Sequence, residues 1–175
     1  FPADFVIIGV GTLPDVTLAA AAGLRRDNGV WVDEHCRTSD PNVYAAGDCT
    51  NHPSARYGRR VRLESVDNAV EQAKTAASNI CGKAARHEHV PWFWSDQYDV
   101  KLQIAGLSAG HDQVILRGDP DGGSFAVYYL AAGELIAVDA VNSMRDFMTG
   151  KKWIAERKRP DPALLADGSV DLKTI

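Results

Sequence analysis

Two kinds of hydrophobic patterning divide this chain, and the composition changes between them near His87. Ahead of that point, residues 4–9 form an apolar run that predicts a buried strand, and Gly9-Val-Gly11 predicts a turn of close backbone approach. Residues 15–22 predict a short helix, with Asp15 as its N-cap and Gly23 at its stop. Asn28-Gly29 predicts a hairpin-type turn into a strand at 30–32. Residues 43–46, set between Pro41-Asn42 and Gly47-Asp48, predict a second short buried strand. The polar and basic stretch 51–62 predicts an exposed loop. Small or apolar residues then recur at Val66, Ala69, Val70, Ala73, Ala76, Ala77 and Ile80. That is the spacing of a helix over 64–80 with a narrow face for packing on a sheet, ended by Cys81-Gly82.

Past His87 the pattern predicts strands at 100–104, 113–117, 125–130 and 135–141, with turns at Gly110, Asp121-Gly122-Gly123 and Ala132-Gly133. Strands this close, with short connections, make an antiparallel sheet rather than parallel crossover units. Asn142 or Ser143 caps a helix to about Arg157, after which Pro160 and Pro162 open a polar tail. The fold class is therefore α/β, followed by a smaller α+β unit with an antiparallel sheet.

With 175 residues, 45% of them hydrophobic, the chain can bury one sizeable core or two small ones. A net charge of −4 gives no reason to propose a nucleic-acid partner. No apolar run reaches the length of a membrane span, and the first residues lack a basic-then-apolar signal. Cys36, Cys49 and Cys81 are an odd, scattered set, which suggests reduced thiols in a cytoplasmic protein. The chain begins almost directly in a predicted strand without an initiator methionine. Gly9-Val-Gly11 also lacks the third glycine of a nucleotide-binding turn, so the sequence is expected to be the C-terminal part of a longer protein.

The chemistry centres on Gly47 and Asp48. A glycine ending a strand lets a ligand approach the backbone, and a carboxylate just after it can accept hydrogen bonds from sugar-type hydroxyls. The competing reading is an ordinary strand ending in a Gly-Asp turn. No catalytic side chain is assigned. His52, His87 and His89 match no metal spacing, and no Ser-His-Asp set can be assembled.

Thr38-Ser-Asp-Pro-Asn-Val-Tyr-Ala-Ala-Gly-Asp48 resembles the second flavin-binding motif of the FAD-dependent pyridine nucleotide reductases. Ile7-Ile-Gly-Val-Gly-Thr-Leu-Pro-Asp15, Arg62-Leu-Glu-Ser-Val-Asp-Asn-Ala69, Pro91-Trp-Phe-Trp-Ser-Asp-Gln-Tyr98 and Leu102-Gln-Ile-Ala-Gly106 narrow it. Together they resemble the NADH-dependent ferredoxin reductases of bacterial oxygenase systems. The resemblance implies FAD and NAD(P)H as cofactors and an iron–sulfur ferredoxin as partner. It implies that Asp48 binds the ribityl chain and that the Val66 backbone meets the flavin's pyrimidine edge. Trp94 would lie beside the isoalloxazine, facing the partner, and Gly9 and Gly11 would line the cleft near the nicotinamide. A core role is the alternative for Val66 and for Trp94. The implied division is 1–14 (end of an NAD module), 15–86 (second part of an FAD domain) and 87–175 (C-terminal reductase domain). Acidic ferredoxins would dock on basic residues, with candidates at Arg56, Arg59 and Arg60 and on the last helix. A second reading is a non-catalytic docking module of the apoptosis-inducing-factor kind.

Overall fold

Alternation of inward and outward side chains builds the larger of two sheets. The computed structural model describes residues 1–175. Strands β4 (Trp92–Gln97), β5 (Val100–Gly106), β6 (Gln113–Asp119), β7 (Ser124–Ala131) and β8 (Glu134–Val141) form an antiparallel sheet in the order β4-β5-β8-β7-β6. Along β7, Ala126, Tyr128 and Leu130 are buried, while Phe125, Val127 and Tyr129 on the other face are half-buried. The β7–β8 hairpin closes through Ala132 and Gly133 at φ 48° and 80°, the left-handed pair that a tight primed turn requires. Helix α3 (Met144–Ala155) lies on the inward face, adding Phe147, Trp153 and Ile154 to the core.

The expected polar tail is instead part of this core. Pro162 opens a helix, α4 (Pro162–Ala166), with the Asp161 carboxylate accepting from the Ala163 amide at 2.8 Å. Proline is suited to a first helical turn because its missing N–H is not needed there. Leu165 and Leu172 are buried, the latter in a final 3₁₀ turn (Leu172–Thr174). Arg117, on β6 and 8% exposed, fixes the segment to the sheet. Its guanidinium donates to the carbonyls of Leu165 (3.1 Å), Asp167 (2.5 Å), Gly168 (3.3 Å) and Val170 (2.6 Å). It also pairs with Asp146 at 3.3 Å.

The first half holds a three-stranded sheet: β1 (Val30–Trp31) parallel to β2 (Thr50–Ser54), and β2 antiparallel to β3 (Arg59–Val61). Helix α1 (Thr17–Ala21) starts two residues after Asp15, whose carboxylate accepts from the Thr17 amide at 2.9 Å. Residues 51–62 are thus largely a hairpin and not an exposed loop. Neither residues 4–9 nor residues 43–46 form a strand. Phe5 and Ile7 are 79% and 86% exposed, and Tyr44 makes only an isolated bridge to Arg37. A strand needs a neighbour for its N–H and C=O groups, and no strand of this chain lies alongside these runs.

Helix α2 (Val66–Ile80) has the expected period but turns a different face inward. Asn68, Gln72, Thr75 and Ala76 are buried, whereas Val66, Val70 and Ile80 are exposed. The inward face is polar because it meets polar partners. No helix is long and apolar enough to cross a membrane.

Candidate functional site

The Gly47–Asp48 turn is held from behind by buried amides. Gly47 sits at φ 89°, a left-handed conformation that strains any residue with a Cβ. Its N–H donates to Gln72 Oε1 at 2.7 Å, and Thr50 Oγ1 donates to the same oxygen at 2.8 Å. Asn68 Nδ2 adds a third donor at 3.3 Å. Gln72 and Asn68 are both 0% exposed. Buried polar groups are held by hydrogen bonds, and every side-chain N and O of these two residues has at least one partner. In front of this support the Asp48 side chain is exposed, with only its backbone carbonyl engaged, by Arg62 at 3.3 Å.

Arg62 gathers the rest. Its guanidinium also reaches Asn28 Oδ1 at 3.2 Å and the Thr12 carbonyl at 3.5 Å, and it pairs with Glu64. Thr12 Oγ1 donates to Glu64 at 3.2 Å. The hydrogen bond from Arg62, then that from Thr12, hold the Glu64 carboxyl below its ordinary range. One side chain thereby ties the Gly11–Thr12 loop, the Asp48 turn and the approach to α2. Ser65 caps α2 by accepting from the Asn68 amide at 3.2 Å. Val66, the first helical residue, is 61% exposed, and the first N–H groups of a helix have no partner within it.

Strand β4 docks beside that helix end, because the Trp92 amide donates to Asp67 at 3.3 Å. Trp94 is 37% exposed, its ring 5.3 Å from that of Trp92. Two adjoining clefts share Leu63 and Glu64: one is lined by Val10, Gly11 and Arg62, the other by Ser65, Trp92 and Phe93. Gly11, Arg62, Ser65 and the Trp92–Phe93 part of β4 therefore border adjoining clefts, to which the Asp48 turn is tied through Arg62. Gly9 lines neither cleft.

Sequence reasoning missed Arg62, Asn68 and Gln72 as site supports. Their available signal was the i, i+4 spacing of Asn68 and Gln72 on one helix face. Two expected docking residues prove structural. Arg60 donates to the Val32 carbonyl at 2.6 Å and to Asn51 Oδ1 at 2.9 Å, and stacks 3.5 Å from the Trp31 ring centroid. Arg56 donates to the Ile154 carbonyl. Arg59 alone of the three is exposed.

His87 and His89 lie in the loop before β4 and His52 in β2, and the three pack as a trio, His52 to His87 and His87 to His89 both at 4.8 Å between ring centroids. Gln72 Nε2 donates to His52 Nδ1 at 3.0 Å, and His87 Nε2 donates to Asn68 Oδ1 at 3.2 Å. Burial, followed by the charge of Arg60, pushes His52 down to about 4. Burial, followed by His52, pushes His87 down to about 3. Because both folded values lie below the ordinary 6.5, the unfolded chain takes up protons first as the pH falls. Stability should be level above about pH 7 and decline steadily from about pH 6.5 toward 4, by on the order of 3 kcal/mol for each ring. Urea unfolding at several pH values checks this, and a His87→Gln variant should flatten the slope. Equal midpoints at neutral and acid pH would show that these rings are not buried neutral. No group of three or more His, Cys, Asp or Glu side chains is arranged to hold a metal ion.

The family described as pyridine nucleotide-disulphide oxidoreductase matches residues 1–73, and the reductase C-terminal family matches residues 92–175. Putidaredoxin reductase CamA of Pseudomonas putida is 49% identical over 174 residues, 99% of this chain and 41% of its own length. Nearly the whole chain is similar to a putidaredoxin-reductase-type oxidoreductase. Rhodocoxin reductase of Rhodococcus erythropolis is 44% identical over 98% of this chain and 40% of its own length. The crystal structure of a covalent putidaredoxin reductase–putidaredoxin complex superposes with a TM-score of 0.92 at 49% identity, over 98% of this chain and 41% of that one. The ferredoxin reductase for the CYP199A2 system of Rhodopseudomonas palustris gives a TM-score of 0.93 at 46% identity, over 99% of this chain and 43% of that one. The chain thus spans about two fifths of the length of these oxidoreductases.

Proposed function

We propose that this chain supplies the C-terminal part of a flavoprotein that passes electrons from NAD(P)H through FAD to an iron–sulfur ferredoxin of an oxygenase system. The observation that carries this is the convergence, around Arg62, of an unpartnered Asp48 carboxylate, an exposed helix N-terminus at Val66 and the adjoining tryptophan strand. Those groups fit a flavin. Asp48 would accept from the ribityl hydroxyls, and left-handed Gly47 keeps that approach free of a side chain. The α2 N-terminus, with about half a positive charge, suits the pyrimidine edge, where reduced flavin gathers negative charge. Gly11, with Gly9 two residues before it and outside the cleft lining, would border the nicotinamide, and Trp94 the partner. FAD, when bound, supplies the exchange between a two-electron donor and a one-electron acceptor, so the chain needs no acid or base of its own. In this reading residues 1–14 end an NAD module, 15–86 continue an FAD domain and 87–175 form the reductase domain. With three free cysteines, one of them exposed, we assign the protein to the cytoplasm.

The docking module without chemistry is less favoured, since the relatives named above are reductases. Flavin absorbance in the purified intact protein, together with NADH-driven reduction of a ferredoxin, tests the choice; a colourless, inactive preparation would favour the docking module. For the partner's approach, Lys74 and Lys151 replace Arg56 and Arg60 as candidates. Lys151 Nζ lies 5.1 Å from the Trp92 ring centroid, and Lys74 is paired with Glu71 at 2.6 Å on α2. Charge steering acts on association and fades with salt. Replacing Lys74 and Lys151 by Glu should raise the KM for ferredoxin about fivefold at low salt. NADH reduction of a small acceptor should stay unchanged. A parallel fall in both activities would instead mean damage to the flavin site.

A further inference from the structure

Between the β2–β3 hairpin and the C-terminal end of α3 lies a cavity of about 210 Å³, lined on one side by the histidine trio and on the other by Arg157. Its donors are not all used. Arg56 Nη1 caps the Ile154 carbonyl, but Arg56 Nε is buried without a partner. His89 gives its N–H at Nε2 to Asp67 at 2.7 Å, so its buried Nδ1 is a lone pair and adds no donor. His52 accepts at Nδ1 from Gln72, so its remaining N–H is on Nε2. Two acceptors of the lining are already engaged. Glu88 takes Arg86 at 2.7 Å, and the Tyr57 hydroxyl accepts from the Leu107 amide at 2.9 Å and donates to the Ile136 carbonyl at 3.3 Å.

Arg157 adds a separate sign. It sits at φ 53°, just beyond the end of α3, with its own N–H on the Ile154 carbonyl at 3.2 Å and the Lys158 N–H on the Trp153 carbonyl at 2.9 Å. That is the left-handed helix stop where glycine is the usual residue. An arginine held there against its backbone preference, beside a cavity with spare donors, is strain of the kind that clusters at ligand sites. Its one counter-charge is Glu134 at 3.7 Å, and the Arg157 side chain is 56% exposed.

We propose that this cavity binds a small oxyanion, a phosphate or a carboxylate, held by Arg56 and Arg157 between the two sheets. Spare N–H donors with two guanidiniums call for a ligand that brings acceptor oxygens and negative charge, and both oxyanions meet arginine's planar fork well. The test is calorimetric titration of the intact, flavin-bearing protein with inorganic phosphate and, separately, with acetate. Chloride at matched ionic strength is the control. Saturable binding of at least one oxyanion is expected, with a rise in melting temperature. Phosphate alone would assign a tetrahedral ligand, and acetate alone a planar one. Arg157→Gly should weaken binding about tenfold without lowering the melting temperature of the free protein, because glycine accepts the left-handed stop. Saturation by neither ion, or equal affinity in Arg157→Gly, overturns the proposal: the cavity then holds water alone, or the ion binds elsewhere.

Discussion

Replacing Gln72 by leucine should destabilise the intact protein by ~3–5 kcal/mol and empty it of flavin. The change is close to isosteric, so the loss comes from polarity and not from volume. The Gly47 N–H, the Thr50 hydroxyl and one Asn68 N–H lose a shared acceptor, and His52 Nδ1 loses its donor. Each buried group left unmet costs about 1–3 kcal/mol, and some will find new partners as the site relaxes. Gln72→Glu separates support from simple packing. The carboxylate keeps the acceptor oxygen but sets a second oxygen against His52 Nδ1, which invites a proton there, so the damage should shrink at mildly acid pH as the two form a buried pair. Urea unfolding and flavin content are the readouts. A leucine variant within about 1 kcal/mol of wild type, with flavin retained, would show that the Gly47 turn does not depend on this amide.

Asp48→Ala should leave the fold intact while lowering flavin affinity about a hundredfold. This carboxylate is exposed and braces nothing behind it, in contrast to Gln72. A charge-assisted hydrogen bond lost, with a ribityl hydroxyl unpaired, is worth ~2–3 kcal/mol, which converts to that factor. Flavin dissociation followed by fluorescence measures it, and unfolding without flavin should be unchanged. Undiminished loading after dialysis would remove Asp48 from the site. Together the two variants divide the turn into a face that touches ligand and a face that positions it.

What could be foreseen follows from how local each determinant is. The antiparallel sheet was legible because alternation along β7 and β8 and the Ala132-Gly133 turn are decided within a few residues. The hairpin at residues 51–62 was not. His52 and Arg60 look like loop residues until their partners, Gln72 and the Val32 carbonyl, are brought alongside from 20 and 28 positions away. The same holds for α2, whose period was plain but whose buried face is polar. For the runs at 4–9 and 43–46 the pattern gave a propensity, and propensity without an adjacent strand makes no ladder. At the candidate site, Gly47, Asp48, Val66 and Trp94 came from linear motifs. Gln72 and Asn68 did not, because a buried amide has no signature of its own and is recognised only by what it bonds.

The anchorage by Arg117 has a consequence for how this protein can change. Its guanidinium meets the backbone carbonyls of Leu165, Asp167, Gly168 and Val170, and no side chain of that stretch. Carbonyls are present whatever residue occupies a position. The identities of residues 167–170 can therefore drift with little effect on the clasp, whereas one residue inserted or deleted there would put the carbonyls out of phase with a fixed planar fork. In this segment, length is under tighter physical constraint than composition.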